Sequence, residues 1–301
     1  MTRLYLITGF LGAGKTTFLQ NFVRLFPDKK IALIINEFGK SGVDGTLLRE
    51  LEIAMAEINN GSIFCACKLE QFEHTLAQML RQKPDLIFVE ASGLSDPTAV
   101  KGILNQAVYS DLEYTGAICL VDAMRFHKVY QTARVCRTQL AISDLVLINK
   151  TDKATREQID EITGIVKAQR PERPVYETTF GWFERAWLDT MGQPAGEETG
   201  GHVRDITLQK LILRTEGFDF DAMEAFLKMF AGDTYRIKGF LKLREGIFFA
   251  DCVGPIVELR PYSGPVTEEN CLNVLYGNGL PARKSIKAAR EHFPAYQIEI
   301  K

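Results

Sequence analysis

Several short stretches of this 301-residue chain hold side chains whose types and spacing could do chemistry, beginning with Gly9-Phe10-Leu11-Gly12-Ala13-Gly14-Lys15-Thr16. It meets G-x-x-x-x-G-K-[ST] at every fixed position. Glycines let successive backbone N–H groups curl around a phosphate, and a helix beginning there adds the positive end of its dipole. Lys15 then reaches β- and γ-phosphates, Thr16 ligates Mg2+, and Gly12, Ala13, Gly14 and Thr17 complete the cradle. A chance glycine-rich turn would lack the required context. Here an apolar run ends at Thr8, and helical periodicity runs from Thr17 to Phe26.

The second stretch is PDLIFVEASGLSDP, residues 84–97, a buried-strand pattern ending at Glu90 and followed by Gly93. An acid at that strand end suits a magnesium-bound water, and Gly93 lets a backbone N–H approach the γ-phosphate and sense it. The third is DLVLINKTDK, residues 144–153, an apolar run ending in Asn149-Lys150-Thr151-Asp152. A carboxylate at Asp152 accepts both N1–H and the exocyclic amino group of guanine, a pattern adenine lacks, while the Lys150 stem packs over the purine. In isolation such a turn is as easily a solvated strand end. Joined to the phosphate loop, with Asn149 beside it, it selects GTP and GDP. No residue identifies itself as the general base for an attacking water, so positioning and charge stabilisation carry the expected hydrolysis.

Taken together, GFLGAGKTT, IINEFG at 34–39, EASGLSDP and NKTD resemble the CobW-type GTPases, relatives of the hydrogenase and urease nickel-insertion GTPases. DTYRIKGFLKL, residues 233–243, resembles a strand motif of that family's smaller C-terminal α+β domain. The resemblance implies a metal-dependent GTPase that delivers a metal ion to, or services a metallocofactor in, a client metalloprotein. Zn2+ and Co2+, or the cobalt cofactor cobalamin, are the themes it implies.

That resemblance gives a place to GSIFCACK, residues 61–68. The family signature is Asn-Gly followed by Cys-x-Cys-Cys, and here Asn60-Gly61 is followed by Ser62-Ile63-Phe64-Cys65, with Cys67 supplying a thiol the signature does not include. Ser62 in place of thiolate removes a soft ligand and Phe64 removes a ligand outright. Lys40 stands where the family carries an acid. In an extended strand Cys65 and Cys67 would lie ~6.5–7 Å apart, at the limit for a disulfide, whereas a turn could bring both sulfurs to one ion. A closed zinc shell takes four ligands, so these two need Glu37, water, a client residue or a second subunit of a homodimer. A shell with missing ligands suits a carrier that must release its ion. The competing reading makes both thiols packing residues beside Phe64.

The elements that must position these stretches are also readable. Apolar runs at 3–8, 31–35, 85–90, 115–121 and 144–149 alternate with helical patterns at 68–82 and 155–168. This is an α/β pattern, a P-loop NTPase with a mostly parallel sheet flanked by helices. It occupies residues 1–188. A Gly-, Glu- and Pro-rich linker is expected over 189–204, and an α+β domain over 205–301. The second domain should contain a helix at 219–230 with Met223, Phe226, Leu227 and Phe230 on one face, strands near 235–243 and 247–260, and a basic helix carrying Arg283, Lys284, Lys287 and Arg290. With 36 Lys and Arg against 38 Asp and Glu, the formal charge of −2 recruits neither nucleic acid nor an anionic membrane. The apolar start is interrupted by glycines and Lys15, so no export signal is expected, and no run approaches the ~18 apolar residues of a membrane span. A cytoplasmic location with reduced thiols follows. Cys119, Cys136, Cys252 and Cys271 read as packing, the four histidines as scattered single groups, and Trp182 and Trp187 as covering the core or the domain joint. Beside metal delivery stand two other readings: a GTPase that loads or protects a corrinoid or other metallocofactor protein without carrying free metal, and a nucleotide-gated scaffold.

Overall fold

The computed structural model describes residues 1–36, 54–58, 69–93, 97, 103–104, 109, 111–191, 208–266 and 268–300. The chain divides into two compact units, residues 1–204 and 205–301. In the first, strands β1 (Thr2–Thr8), β2 (Ile31–Asn36), β3 (Ala54–Ile58), β4 (Leu86–Glu90), β5 (Leu112–Asp122), β6 (Leu145–Asn149) and β7 (Val175–Glu177) form one sheet in the order β3-β2-β4-β1-β5-β6-β7. Every pairing is parallel. The reason lies in the strand sequences: LIFVE and LVLIN are buried at every position, as strands covered on both faces must be.

Successive side chains point to opposite faces, so each strand feeds two cores. Leu4, Leu6, Ile34, Ile87 and Val89 meet Phe72, Leu76 and Met79 of helix Leu69–Arg81. Tyr5, Ile7, Leu33, Ile35 and Phe88 meet Phe18, Leu19 and Phe22 of helix α1 (Lys15–Val23) on the other side. Phe22 is the hub there, with ring centroids 5.0 Å from both Phe88 and Phe183. Helix Arg156–Gln169 starts where the pattern expects, because Thr155 and Gln158 close a capping box.

Because all strands are parallel, the segments after β1, β4, β5, β6 and β7 emerge at one edge. β1 lies between β4 and β5, so the loop at 9–14 is flanked by residues 91–93 and 123–125. This is the crevice where open α/β sheets hold ligands.

The second unit is an antiparallel sheet of β8 (Leu208–Glu216), β9 (Arg236–Leu243), β10 (Gly246–Val253), β11 (Leu259–Pro261), β12 (Cys271–Gly277) and β13 (Gln297–Ile300), ordered β11-β10-β9-β12-β8-β13. Helices Phe220–Lys228 and Ala282–His292 pack Met223, Phe226, Leu227, Ile286 and Ala289 into its core. The expected strand over 247–260 is two strands. Gly254, at φ 57°, and Pro255 break the run, and β11 folds back on β10 with Phe248 opposite Pro261. Residues 189–191 extend the first unit, with Tyr176 Oη donating to Thr190 Oγ1 at 3.0 Å; the rest of the expected linker lies outside the described residues. Trp187 stacks on Tyr176 with centroids 4.3 Å apart and packs on the core, whereas Trp182 is 54 % exposed and meets Trp187 edge-on at 5.4 Å. Among the described residues no helix is long and apolar enough to cross a membrane.

Candidate functional site

Local geometry at 9–16 follows from the glycines. Gly9, Gly12 and Gly14 have φ of 135°, 77° and 96°, values that side chains oppose. A Cβ on Gly9 would sit 2.2 Å from the Leu120 carbonyl oxygen, so this residue also lets the loop leave the sheet against β5. Gly14 is the N-cap of α1, which has no side-chain cap and no acid in its first turn. A helix end of this kind, from Gly14 to Thr17, suits an anion, while the Ala13 N–H donates to the Phe10 carbonyl at 3.2 Å. Lys15 is buried, and its ammonium donates to the Gly9 carbonyl at 3.0 Å, spanning the loop it serves. Thr16 is half-buried and Thr17 exposed on the next positions of the helix.

On one flank, Glu90 ends β4 in register with Ile7 of β1 and is only 6 % exposed. Gly93 follows three residues on. A Cβ there would lie 2.6 Å from the Leu11 nitrogen and 2.9 Å from its Cα, so only glycine lets this segment touch the phosphate loop. Two side chains that the sequence analysis does not single out hold this contact. Gln139, buried on helix Arg134–Ala141, donates to the Gly93 carbonyl at 3.4 Å, and the buried Arg125 guanidinium donates to the Leu11 carbonyl at 3.3 Å. With Cys119 and Cys136 they line a cavity of about 20 Å3 behind the loop.

On the other flank, Asn149 is 2 % exposed and fully committed to backbone. Its Nδ2 donates to the Ala13 carbonyl at 2.8 Å, and its Oδ1 accepts from the Gly181 N–H at 3.1 Å. In this geometry Asn149 ties the phosphate loop to the segment after β7. Lys150 takes a left-handed φ of 65° and sends its ammonium to the Gly12 carbonyl and to Asp122 Oδ2, both at 2.7 Å. Its stem therefore runs from β6 to the loop. Asp122, a third residue missed, had a readable signal: like Glu90 it is an acid ending a buried strand, in AICLVDA. Asp152 stands exposed on the short turn Thr151–Lys153. The segment Thr178-Thr179-Phe180-Gly181-Trp182 had no sequence signal, yet Thr151 donates from both N–H and Oγ1 to the Thr178 carbonyl, at 3.3 and 3.1 Å.

The sheet edge thus brings together Gly12 to Thr17, Glu90, Gly93, Asn149, Lys150 and Asp152. A buried carboxylate and a threonine hydroxyl beside a phosphate loop are hard oxygen donors, and Glu90 and Thr16 fit Mg2+ as a donor set. The transition-metal candidates Glu37, Cys65 and Cys67, with Ser62 and Phe64, lie outside the described residues. Among the described residues no group of three or more His, Cys, Asp or Glu side chains could hold a metal. The four described cysteines are buried and free. Burial pushes the Cys119 thiol up to about 12, against smaller downward pulls from Arg173 and Lys15, and pushes Cys252 up to about 12. Burial likewise raises Cys136 and Cys271. Thiols held protonated this way are poor ligands.

Comparison with known proteins places these features. The family described as CobW/HypB/UreG, nucleotide-binding domain, matches residues 3–177. The zinc chaperone YeiR of Escherichia coli (strain K12) is 36% identical over 161 residues, 52% of this chain and 49% of that protein. The zinc chaperone CobW of Sinorhizobium sp is 34% identical over 195 residues, 52% of this chain and 55% of its own length. The zinc chaperone YjiA of Escherichia coli (strain K12) is 31% identical over 189 residues, 58% of this chain and 57% of its own. The chain thus spans about half the length of these curated relatives.

Proposed function

The chain belongs to the CobW/HypB/UreG family, and from that premise we propose that it is a Mg2+-dependent GTPase coupling GTP binding and hydrolysis to metal delivery, or to metallocofactor maturation, in a client metalloprotein. The observation that carries the reading is Asn149, whose one amide group fastens the phosphate loop at Ala13 to the Asn-Lys-Thr-Asp end of β6 and to Gly181. A protein that binds phosphate alone has no need to couple its loop to a guanine-reading turn.

In this reading the backbone N–H groups of Gly12 to Thr17 take up the phosphates, and Lys15 exchanges the Gly9 carbonyl for β- and γ-oxygens. Asp152 accepts from N1–H and the exocyclic amine of guanine. Thr16 and Glu90 hold Mg2+, which when bound neutralises charge between the β- and γ-phosphates. Gly93, pressed on Leu11 and gripped by Gln139, reports the γ-phosphate to residues 36–44 and 59–68. Cys65 and Cys67 then take a thiophilic ion, Zn2+ or Co2+, with Glu37, a client or a second copy of the chain completing the shell. The relatives named as zinc chaperones support zinc first. Thiolate ligation requires a reducing compartment, which a cytoplasmic location supplies.

GTP turnover measured against a metal panel, for wild type, Lys15→Ala and Cys65→Ala/Cys67→Ala, tests the reading. Mg2+-dependent turnover lost in Lys15→Ala supports the GTPase and rules out a nucleotide-gated scaffold. Metal binding that depends on both thiols and on nucleotide supports delivery; nucleotide-independent binding that survives in the double variant sinks it. The second reading, a chaperone of a corrinoid or other metallocofactor protein that carries no free metal, is favoured by Ser62 and Phe64 in the altered motif. It expects client-stimulated hydrolysis even without the two thiols.

A further inference from the structure

Phe180 is a large aromatic side chain 74 % exposed to solvent, on a backbone with φ of 51°, where a glycine would sit without strain. With Gly181 at φ 64°, that backbone makes a tight turn closed by the Trp182 N–H donating to the Thr179 carbonyl at 3.0 Å, but the turn has no use for a large apolar side chain at its exposed corner. Phe183 fills the core from the same segment, in edge contact with Phe18 and Phe22 at 5.7 and 5.0 Å. Gly181 makes the close approach to α1, where a Cβ would lie 2.7 Å from Phe18 backbone atoms.

The backbone that carries the exposed ring is nevertheless fixed by hydrogen bonds. Asn21 Nδ2 donates to the Phe180 carbonyl at 2.9 Å, and the Gly181 N–H donates to Asn149 at 3.1 Å. Across the loop, Thr178 Oγ1 donates to the Trp182 carbonyl at 2.7 Å, and the Trp182 N–H to the Thr179 carbonyl at 3.0 Å. Thr151 Oγ1 joins the loop to the base-reading turn through the Thr178 carbonyl at 3.1 Å. The exposed residue is therefore fastened on one side to the phosphate-loop helix and on the other to residues 149–152. The turn accounts for the backbone, and what it leaves unexplained is a large apolar ring exposed to solvent on a loop tied to both halves of the site. A planar apolar surface on a loop hydrogen-bonded to the turn that carries Asp152 is suited to stacking on a purine face.

We propose that Phe180 is the aromatic wall of the base site, stacking on the guanine of GDP and GTP while the Lys150 stem covers the other face. The inference rests on the guanine-nucleotide reading of the site. It divides the work: Asp152 chooses the base by hydrogen bonds, and Phe180 adds affinity that every purine would feel.

The test is calorimetric titration of GDP and GTP, with Mg2+ present, into wild type, Phe180→Ala, Phe180→Gly and Phe180→Trp, alongside melting temperatures of the nucleotide-free proteins. Phe180→Ala and Phe180→Gly should each weaken GDP and GTP by the same factor, about tenfold, the scale of one base–aromatic stack. Phe180→Gly should do so with a melting temperature unchanged within about 2 °C, because glycine accepts the left-handed backbone. Phe180→Trp should recover affinity to within about threefold and add, over the emission of Trp182 and Trp187, a component that GDP quenches. Wild-type GDP affinity in Phe180→Gly, a Phe180→Trp as weak as Phe180→Ala, or weakened binding that tracks lowered melting temperatures in every variant would each overturn the inference. If wild type itself bound neither nucleotide, the guanine reading would fall with it. Tight wild-type binding with indifferent variants would fail this inference alone.

Discussion

Replacing Asn149 by alanine removes a side chain that is almost wholly buried and whose two polar atoms each satisfy a backbone group, the Ala13 carbonyl and the Gly181 N–H. A buried backbone group stripped of its partner costs about 1–3 kcal/mol. Two such groups, with water entering part of the vacated space, give a loss of about 2–4 kcal/mol. The loss should divide between folding and binding. The phosphate loop and the 178–182 segment become independent of one another, so ordering both around a nucleotide becomes part of the binding step. Urea unfolding of the nucleotide-free Asn149→Ala protein should lose at least about 1 kcal/mol from the first unit's transition, and GDP affinity should fall by about tenfold or more. Asn149→Asp separates geometry from volume: it keeps an acceptor for Gly181 but sets a carboxylate oxygen against the Ala13 carbonyl, so it should be no better than alanine. An Asn149→Ala protein with unchanged urea midpoint and unchanged GDP affinity would refute the claim that this amide couples the two halves of the site.

Asp152→Asn should weaken GTP by about two orders of magnitude or more while admitting xanthosine triphosphate, because an amide can donate to the xanthine carbonyl that replaces the guanine amine; competition binding with both nucleotides checks it. Gly93→Ala drives a Cβ into the Leu11 backbone at 2.6 Å, so GTP turnover should fall about tenfold or more while GDP affinity changes much less; an equal loss in both would count against a γ-phosphate role. Burial raises Cys119 and Cys252 from 9.0 to about 12, so their unfolded thiols ionise first. Stability from this source is complete below pH 9.0 and declines as pH rises toward about 12, by up to about 1.4 kcal/mol per pH unit for each thiol. Urea midpoints from pH 8 to 10.5 should fall, and fall less steeply in Cys119→Ala/Cys252→Ala.

Much of the first unit is legible because its information is local. Runs such as LIFVE and LVLIN are apolar throughout since both faces of a parallel strand are covered. β3 and β7 escape that logic. AMAEI carries an acid inside a short strand, and VYE is three residues long and only partly buried. In the second unit an apolar run from 247 to 260 hides its turn, because Gly254 and Pro255 break a strand without interrupting the hydrophobic pattern.

The chemical stretches are likewise local. Glycines in left-handed conformations, a lysine and threonine opening a helix, and acids closing buried strands each require particular residue types within a few positions, and those requirements survive in the primary sequence. What the strand order alone decides is which stretches meet. Asn149 reaches the Ala13 carbonyl across 136 residues, Arg125 reaches Leu11 across 114, and Gln139 reaches Gly93 across 46. A hydrogen bond of this kind leaves no periodic trace, since any buried asparagine, arginine or glutamine would look the same in sequence. The order β4-β1-β5-β6-β7 sets those distances, and so makes Asn149 a tie between loops and puts exposed Phe180 on the loop that Asn149 holds.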